Sequence, residues 1–405
     1  MEISDDVNTL YIGGGTPSVL PLSVFESIAE ALRRSGHGGP FDEFTVEVNP
    51  DDIVEKGEAY VEGLLKLGVN RISMGVQSFD DDILKWMNRR HDSAAARRAY
   101  AILENAGVAN ISIDLIFGLS QLSDAQWSET MEKALDISSR GQLPNHVSAY
   151  QLSVEPGSAL ARLVERGDWK EASDELCEHQ YMMLCEELSR AGYHHYEISN
   201  FAQPGFEAKH NSAYWTHQPY VGLGPGAHSF AADIRKWNNP DLKAYVAAAR
   251  SGDLASVVGS ESLTADQLSL EKIMLGLRTS AGISADFLRA HCDPAALSAA
   301  ISSGNLVSVC NSASACESAS ACESALVCES ALVCESALVC DSALVCDSAL
   351  VCDSALVCDS VSSVSGGNFA SAINLPSGIN LPSDANFRIP ETRFFISDSI
   401  ISELV

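Results

Sequence analysis

Glu47, Gln77 and Asp114 stand near the carboxyl ends of three short β-like runs, and a glycine triplet, Gly13–Gly15, closes a fourth. Carboxylates and an amide gathered at strand ends can accept hydrogen bonds from an ammonium group or from ribose hydroxyls. Bare glycine backbone lets such a ligand approach where a Cβ would block it. Residue alternation ties the candidates together, because side chains two apart on a strand share a face. In 44–49, Val46 and Val48 face one way and Glu47 and Asn49 the other. In 71–77, Ile72, Met74 and Val76 form the apolar face, opposite Arg71, Ser73, Gly75 and Gln77. In 111–116, Ile111, Ile113 and Leu115 oppose Ser112 and Asp114, and in the first run Tyr11 and Gly13 oppose Leu10 and Ile12. In a barrel of parallel strands one face meets the helices and the other the interior, and the carboxyl ends form the ligand side.

Histidines suggest a different chemistry. His210, His217 and His228 fall in a stretch rich in Gly, His, Tyr and Trp, and three imidazoles on a barrel could make a metal hydrolase. They lie beyond the barrel strands, however, and no Asp/Glu–His grouping accompanies them. Cysteine offers less. Of the 12 cysteines only Cys177, Cys185 and Cys292 lie outside a repetitive tract. The other nine recur every sixth residue from Cys310 to Cys358, which is not a usual chelating spacing. Without a secretory signal no disulfide framework is read, and Cys177 and Cys185, eight apart on an expected helix, read as core residues.

The elements that would position these groups alternate along 9–155. Strands are expected at 10–12, 44–48, 71–76, 111–117 and 146–152, and helices at 22–34, 58–67, 93–105 and 124–139. Such alternation means a parallel sheet. Ser123 and Asp124 read as an N-cap region, and Gly68 and Gly107 as left-handed helix ends. A long helix is expected over 172–191, and 240–307 reads as small and helical. From Ser308 the composition becomes SASACE, then SALVCE, then SALVCD, up to about Asp359. Six residues advance a helix by 600°, so no fixed helical face forms. A β-solenoid would suit the period, but the repeat has no turn residue for corners. The expectation is therefore a low-complexity, disordered insert over 308–386, ending in a Ser/Gly/Asn/Pro linker. After it, 393–396 reads as a strand, Ser397-Asp398 as a helix cap and 400–405 as a final helix. The expected division is a barrel and loop domain over 1–240, and a small C-terminal domain from 241–307 plus 387–405.

Bulk properties exclude several classes. A net charge of −28 argues against nucleic acid as the main partner. No apolar run approaches the length of a membrane span. The acidic start lacks a signal-peptide core, so the expected location is cytoplasmic, or organellar if the true N-terminus is missing.

The segments GGGTPS (13–18), VEVNP (46–50), NRISMGVQSF (70–79) with NRRH (88–91), and ISIDLIFGL (111–119) resemble the radical S-adenosylmethionine proteins. The similar branch is the one related to oxygen-independent coproporphyrinogen III oxidase. Within it, YEISNFA (196–202), HNSAYW (210–215) and GLGPGAHSF (222–230) resemble the heme chaperone group. The resemblance spans about 9–307 and 387–405. It implies a partial (β/α) barrel with a [4Fe–4S] cluster and S-adenosylmethionine. By motif position, Gly14, Gly15 and Thr16 would meet the cofactor's amino group, and Glu47, Gln77, Arg89 and Asp114 would make its other contacts. It also implies heme as a ligand, His210 as a heme-binding residue, and heme-accepting proteins as partners. A neutral imidazole suits iron, and Tyr214 and Trp215 can stack on a flat macrocycle. The family's CxxxCxxC loop follows the first barrel strand. Both are expected to be missing from the sequence as written, which contains no CxxxCxxC. The function implied is heme binding and transfer, and the alternative is the oxidase's radical decarboxylation of coproporphyrinogen propionates.

Overall fold

Strands apolar on one face, alternating with helices apolar on one side, bury both surfaces by stacking as a sheet with helices behind it. The computed structural model describes residues 7–309 and 385–405, with three two-residue strand pieces at 326–327, 373–374 and 380–381. Of the repeat tract and linker, expected to be disordered, only these pieces are described: Leu326–Val327 pairs in parallel with Ser308–Val309, and Ile373–Asn374 pairs antiparallel with Asn380–Leu381; the rest of both readings lies outside the described residues. The chain folds into two compact units, Met1–Tyr214 and Trp215–Val405, where the sequence put the first division after residue 240.

The first unit holds seven strands: β1 (Thr9–Ile12), β2 (Glu43–Val48), β3 (Arg71–Gln77), β4 (Ile111–Phe117), β5 (His146–Gln151), β6 (His194–Glu197) and β7 (Asn200–Ala202). They form one curved sheet in the order β1-β2-β3-β4-β5-β7-β6. Each of β1 to β4 pairs with the next in parallel. The expected parallel sheet ends there, since β7 runs antiparallel to both β5 and β6. Only Ile198 and Ser199 join β6 to β7, and so short a link permits an antiparallel pair alone; a parallel one needs a crossover.

The helices are α1 (Leu22–Arg34), α2 (Pro50–Lys66), α3 (Asp81–Trp86), α4 (Ser93–Asn105), α5 (Asp124–Leu135), α6 (Ala159–Glu165), α7 (Asp174–Arg190) and α8 (Lys209–Trp215). The bounds of α1 and α4 are those read from sequence. The helix expected over 58–67 is the second half of α2, which starts at Pro50 and breaks at Gly57, where φ is 71°. Proline suits the first helical turn because its missing N–H has no partner there anyway. Ser123 and Gln126 close a capping box on α5, which stops at Leu135, short of the expected 139. Gly68 and Gly107 take φ of 100° and 89°, as helix-ending glycines should. Helix α3 was not expected; its first N–H groups are met by the Asp80 carboxylate, at 2.9 Å from Asp82 N and 3.1 Å from Ile83 N.

The apolar parity is the helix-facing one. Val46, Val48, Ile72, Met74, Val76, Ile111, Ile113 and Leu115 are all buried. Each such side chain contributes about 1.5–3 kcal/mol. Trp127 of α5 is fully buried and donates its indole N–H to the Gln180 carbonyl at 2.9 Å. With the apolar faces spent on the helices, the opposite, polar parity is left for the concave side of the sheet.

In the second unit, strands His228–Ala231, Ile234–Asn238 and Val258–Ser262 form an antiparallel sheet. Helices Leu242–Ser251, Ala265–Gly276, Ala285–His291 and Pro294–Ser302 make it mainly helical. Strand Val307–Val309 pairs antiparallel with Asn386–Arg388, Ser308 opposite Phe387, so the chain re-enters the same sheet on either side of the repeat tract. Two expectations fail nearby. Residues 393–396 belong to a 3-10 turn, Glu391–Ile396, not a strand: the strand is Asn386–Arg388. The last helix, Ser397–Leu404, has no side-chain cap, because the Ser397 hydroxyl instead accepts from Arg278 Nε at 3.1 Å.

Candidate functional site

The concave face of the seven-stranded sheet encloses a cavity of about 390 Å³. Its wall is the polar parity: Glu47 and Asn49 of the β2 run, Arg71, Ser73, Gly75 and Gln77 of β3, and Asp114 of β4. Gly15, Thr16 and Arg89 border the same space. Of the residues singled out in the sequence, Gly15, Thr16, Glu47, Gln77, Arg89, Asp114 and His210 all line it. Gly14 is turned to a different task. Its φ is 85°, and its N–H donates to Glu47 Oε2 at 3.1 Å.

The three glycines have three separate reasons. A Cβ on Gly13 would come within 2.3 Å of Tyr11 Cε1 and 2.6 Å of Glu47 Oε1. Gly14 holds a left-handed backbone conformation. Gly15 has open space beside it, so it is the glycine that leaves bare backbone toward the cavity. Along β3, Gln77 takes φ of 69° where the register with β4 shifts between Met74 and Gln77. A non-glycine in this region is strained, and such strain collects at ligand-facing positions. Gly75 makes room for it: a Cβ there would stand 2.8 Å from the Gln77 amide nitrogen.

Asp114 is buried between the hydroxyls of Ser73, at 3.2 Å, and Ser148. Burial pushes its pKa up to about 6, against the pull of Arg71 and these hydroxyls. Glu47 accepts the Tyr11 hydroxyl at 2.5 Å. Arg89 stays cationic; burial lowers its pKa, while Asp114 and Asp51 raise it.

His210 enters the cavity from α8, so HNSAYW is helical where the sequence suggested a loop. Its Nδ1 lies 2.8 Å from Thr9 Oγ1 and its Nε2 2.9 Å from the Tyr214 hydroxyl. The ring stacks on Tyr11, with centroids 5.2 Å apart and planes at 19°. Burial pushes the imidazole pKa down, despite Glu43, so the ring is neutral at pH 7. Tyr214 also borders the cavity, while Trp215 belongs to the second unit.

Glu43 was missed in the sequence, and it holds α8 in place. Its carboxylate accepts the backbone N–H groups of Lys209 at 2.7 Å and His210 at 3.2 Å. Those first helical N–H groups have no partner within the helix, and a buried anion suits them. The alternation that marked Glu47 passes back through Thr45 to Glu43, so the signal was present two pleats earlier. A second tie reaches α8 through Glu197, whose carboxylate accepts from Ser199 N and Asn211 Nδ2, each at 3.2 Å, and from the Asn200 amide. A third runs through buried groups: Ser112 Oγ to His146 Nδ1 at 2.7 Å, and His146 Nε2 to the Tyr196 hydroxyl at 2.8 Å. The Ala208 N–H, one residue before α8, donates to that hydroxyl at 3.3 Å.

Burial pushes the Glu197 pKa up to about 7, against its amide donors. A carboxyl raised in the folded state favours folding while it is protonated. Its contribution is complete below the unfolded value of 4.5 and is lost as pH rises through about 7. Wild type should therefore lose on the order of 1–3 kcal/mol between pH 4.5 and 8 that Glu197→Gln does not lose. Urea midpoints of both proteins across that range check this; parallel curves would refute it.

The cysteines do not join the site. Cys177 is buried in α7, where burial raises its thiol pKa, and its sulfur lies beside Gly118. Cys185 Sγ is 3.9 Å from His195 Nδ1, and Cys292 lies in the second unit. His217 is committed to Glu271 at 3.0 Å. Among the described residues no three His, Cys, Asp or Glu side chains come together as metal ligands, which removes the basis for a three-histidine hydrolase and gives a cluster no thiolates there. No helix among the described residues is long and apolar enough to cross a membrane.

Residues 1–134 match the model of the radical SAM superfamily. The chain is 35% identical over 279 residues to the heme chaperone HemW of Lactococcus lactis, covering 69% of this chain and 71% of that protein. It is 34% identical over 286 residues to the heme chaperone HemW of Bacillus subtilis, covering 69% and 72%. Among solved structures, coproporphyrinogen III oxidase (HemN) from Escherichia coli, a radical SAM enzyme, aligns with a TM-score of 0.62 at 21% identity over 74% of this chain and 72% of that one. That likeness supports the partial-barrel fold.

Proposed function

Because the chain belongs to the HemW heme chaperone family of the radical SAM superfamily, we propose that it binds heme at His210 and passes it to heme-accepting proteins. The observation that carries this reading is a neutral imidazole at a cavity edge, with a hydroxyl against each nitrogen. When Nδ1–H donates to Thr9 Oγ1, Nε2 carries the lone pair and the Tyr214 hydroxyl donates to it. Tyr214 then occupies the position an iron would take, and its partly exposed ring yields that position when heme enters. Thr9 fixes the tautomer and the ring plane, as outer-shell partners of metal-binding histidines do. Tyr11, stacked on His210, offers further flat surface.

S-adenosylmethionine fits the other end of the cavity. Glu47 and Asp114 are acceptors for its ammonium and ribose hydroxyls, Arg89 is a cation for its carboxylate, Gln77 adds an amide, and Gly15 and Thr16 supply backbone, while Gly14 holds the Glu47 carboxylate. When bound and reduced through an iron–sulfur cluster, that cofactor supplies a carbon radical. The described residues offer the cluster no ligand set. Heme release is governed by the single axial bond to His210 and by the return of Tyr214 to Nε2.

Titration with heme, followed by its Soret band, tests the reading. Saturable binding of one heme per chain is expected, with transfer on mixing to a heme-free acceptor hemoprotein. Absence of saturable binding would end it. Gly13→Ala probes the cofactor end separately. Its Cβ must displace Tyr11 or Glu47 and break their hydrogen bond. S-adenosylmethionine affinity should fall about tenfold, the loss of one charge-assisted hydrogen bond. Equilibrium dialysis measures it, and an unchanged affinity would remove Glu47 from that role.

A further inference from the structure

We propose that Arg71 anchors a carboxylate of the ligand held in this cavity, the propionate of a heme bound at His210. The inference rests on the heme reading and adds to it the group that orients the porphyrin edge.

Arg71 begins β3 on the same face as Ser73, Gly75 and Gln77, and its side chain lines the cavity although the residue is only 3% exposed. Its Nε has no hydrogen-bond partner among the described residues. A guanidinium cannot escape burial by losing its proton, so a buried N–H without an acceptor is costly. No acid of the cavity hydrogen-bonds to that Nε, although the Arg71 charge acts on Asp114. Glu43 is taken by the N–H groups of α8, Glu47 by Tyr11 and Gly14, and Asp114 by Ser73. The acceptor that is wanting is one a ligand brings. The planar fork of arginine matches a carboxylate with two parallel hydrogen bonds.

Position favours the porphyrin as its source. Arg71 pairs in register with Thr45, and Thr45 with Tyr11, the ring stacked on His210. Two strand spacings of about 4.8 Å put Arg71 roughly 10 Å across the sheet from Tyr11. That is a span on the scale from the centre of a porphyrin to an edge carboxylate. Arg89, twelve residues past the end of β3, also borders the cavity, with the charges of Asp114 and Asp51 acting on it. The remaining source of the same chemistry is the carboxylate of S-adenosylmethionine.

The test compares ligands with and without their carboxylates. Wild type, Arg71→Met and Arg71→Lys are titrated with heme and heme dimethyl ester, and with S-adenosylmethionine and its decarboxylated form. Wild type should bind heme about tenfold or more tighter than the diester, Arg71→Met should bind the two alike, and Arg71→Lys should fall between. Loss of discrimination in the S-adenosylmethionine pair instead keeps the carboxylate anchor and moves its source. Equal discrimination by wild type and Arg71→Met in both pairs overturns the proposal. Failure of wild type to bind either porphyrin overturns the heme reading, and the S-adenosylmethionine pair still decides Arg71. Circular dichroism and thermal melts establish that each variant folds, and Arg71→Lys, which keeps the charge without the fork, serves if Arg71→Met does not.

Discussion

His210→Ala is expected to weaken heme binding on the order of 100-fold, about 2.8 kcal/mol. The size follows from what the ring does. It presents a neutral imidazole at the cavity edge, with Nδ1 beside Thr9 and the ring stacked on Tyr11, and as the proposed iron ligand it has no substitute there. Without it a porphyrin bound as proposed would keep ring contact with Tyr11 and Tyr214 and its carboxylate on Arg71, but no ligand to the iron. Thr9→Val removes only the outer hydrogen bond and should cost about tenfold. His217→Ala, whose ring is engaged by Glu271 in the other unit, should leave affinity unchanged. The measurement is the Soret titration, and the axial ligand is read from the ferric spectrum. Equal affinities of wild type and His210→Ala would exclude His210 as the ligand.

The second large effect is expected at Glu43. Glu43→Ala strips two backbone N–H groups at the start of α8 of their acceptor, in a buried place where water is a poor substitute. Hydrogen bonds to a charged acceptor contribute about 1.5–3 kcal/mol each. Loss of the pair should destabilise the first unit by about 2–4 kcal/mol and carry His210 out of position. Heme affinity should therefore drop although Glu43 is not assigned to the iron. Glu43→Gln keeps an acceptor oxygen and should recover part of both losses. Chemical denaturation and heme titration on the same preparations separate the two effects. A Glu43→Ala protein with wild-type stability and wild-type heme affinity would show that α8 does not depend on this carboxylate.

Strand alternation made most of the cavity legible before any fold was known. Glu47, Gln77 and Asp114 converge because a parity of two, read along three separate runs, leaves their side chains only one shared side. The same rule carried four residues back from Glu47 names Glu43, and Arg71 is on the correct face without a role. What alternation cannot supply is a partner far along the chain. That Glu43 receives the N–H groups of Lys209 and His210 depends on how the antiparallel β6–β7 hairpin returns the chain to the sheet. That hairpin has short strands and no period long enough to read. HNSAYW reads as loop for a similar reason, since a seven-residue helix pinned by tertiary contacts carries little propensity signal of its own. The 3-10 turn at 391–396 was mistaken for a strand because a short aromatic run fits either conformation, and burial of Phe394 decided it.

The antiparallel ladder between Val307–Val309 and Asn386–Arg388 bears on heredity as well as architecture. Val309 and Asn386 stand opposite each other in this ladder, and Leu326–Val327 lies on the other side of Ser308 and Val309, paired in parallel, so the two ends of the tract meet whatever length separates them. Closure entropy rises only with the logarithm of that length, and replacing the stretch by a four-residue turn alters it by about 2–3 kcal/mol. By the same measure one hexapeptide more or less alters closure by less than about 0.1 kcal/mol, which makes the join between Val309 and Asn386 a natural port for grafting foreign sequence.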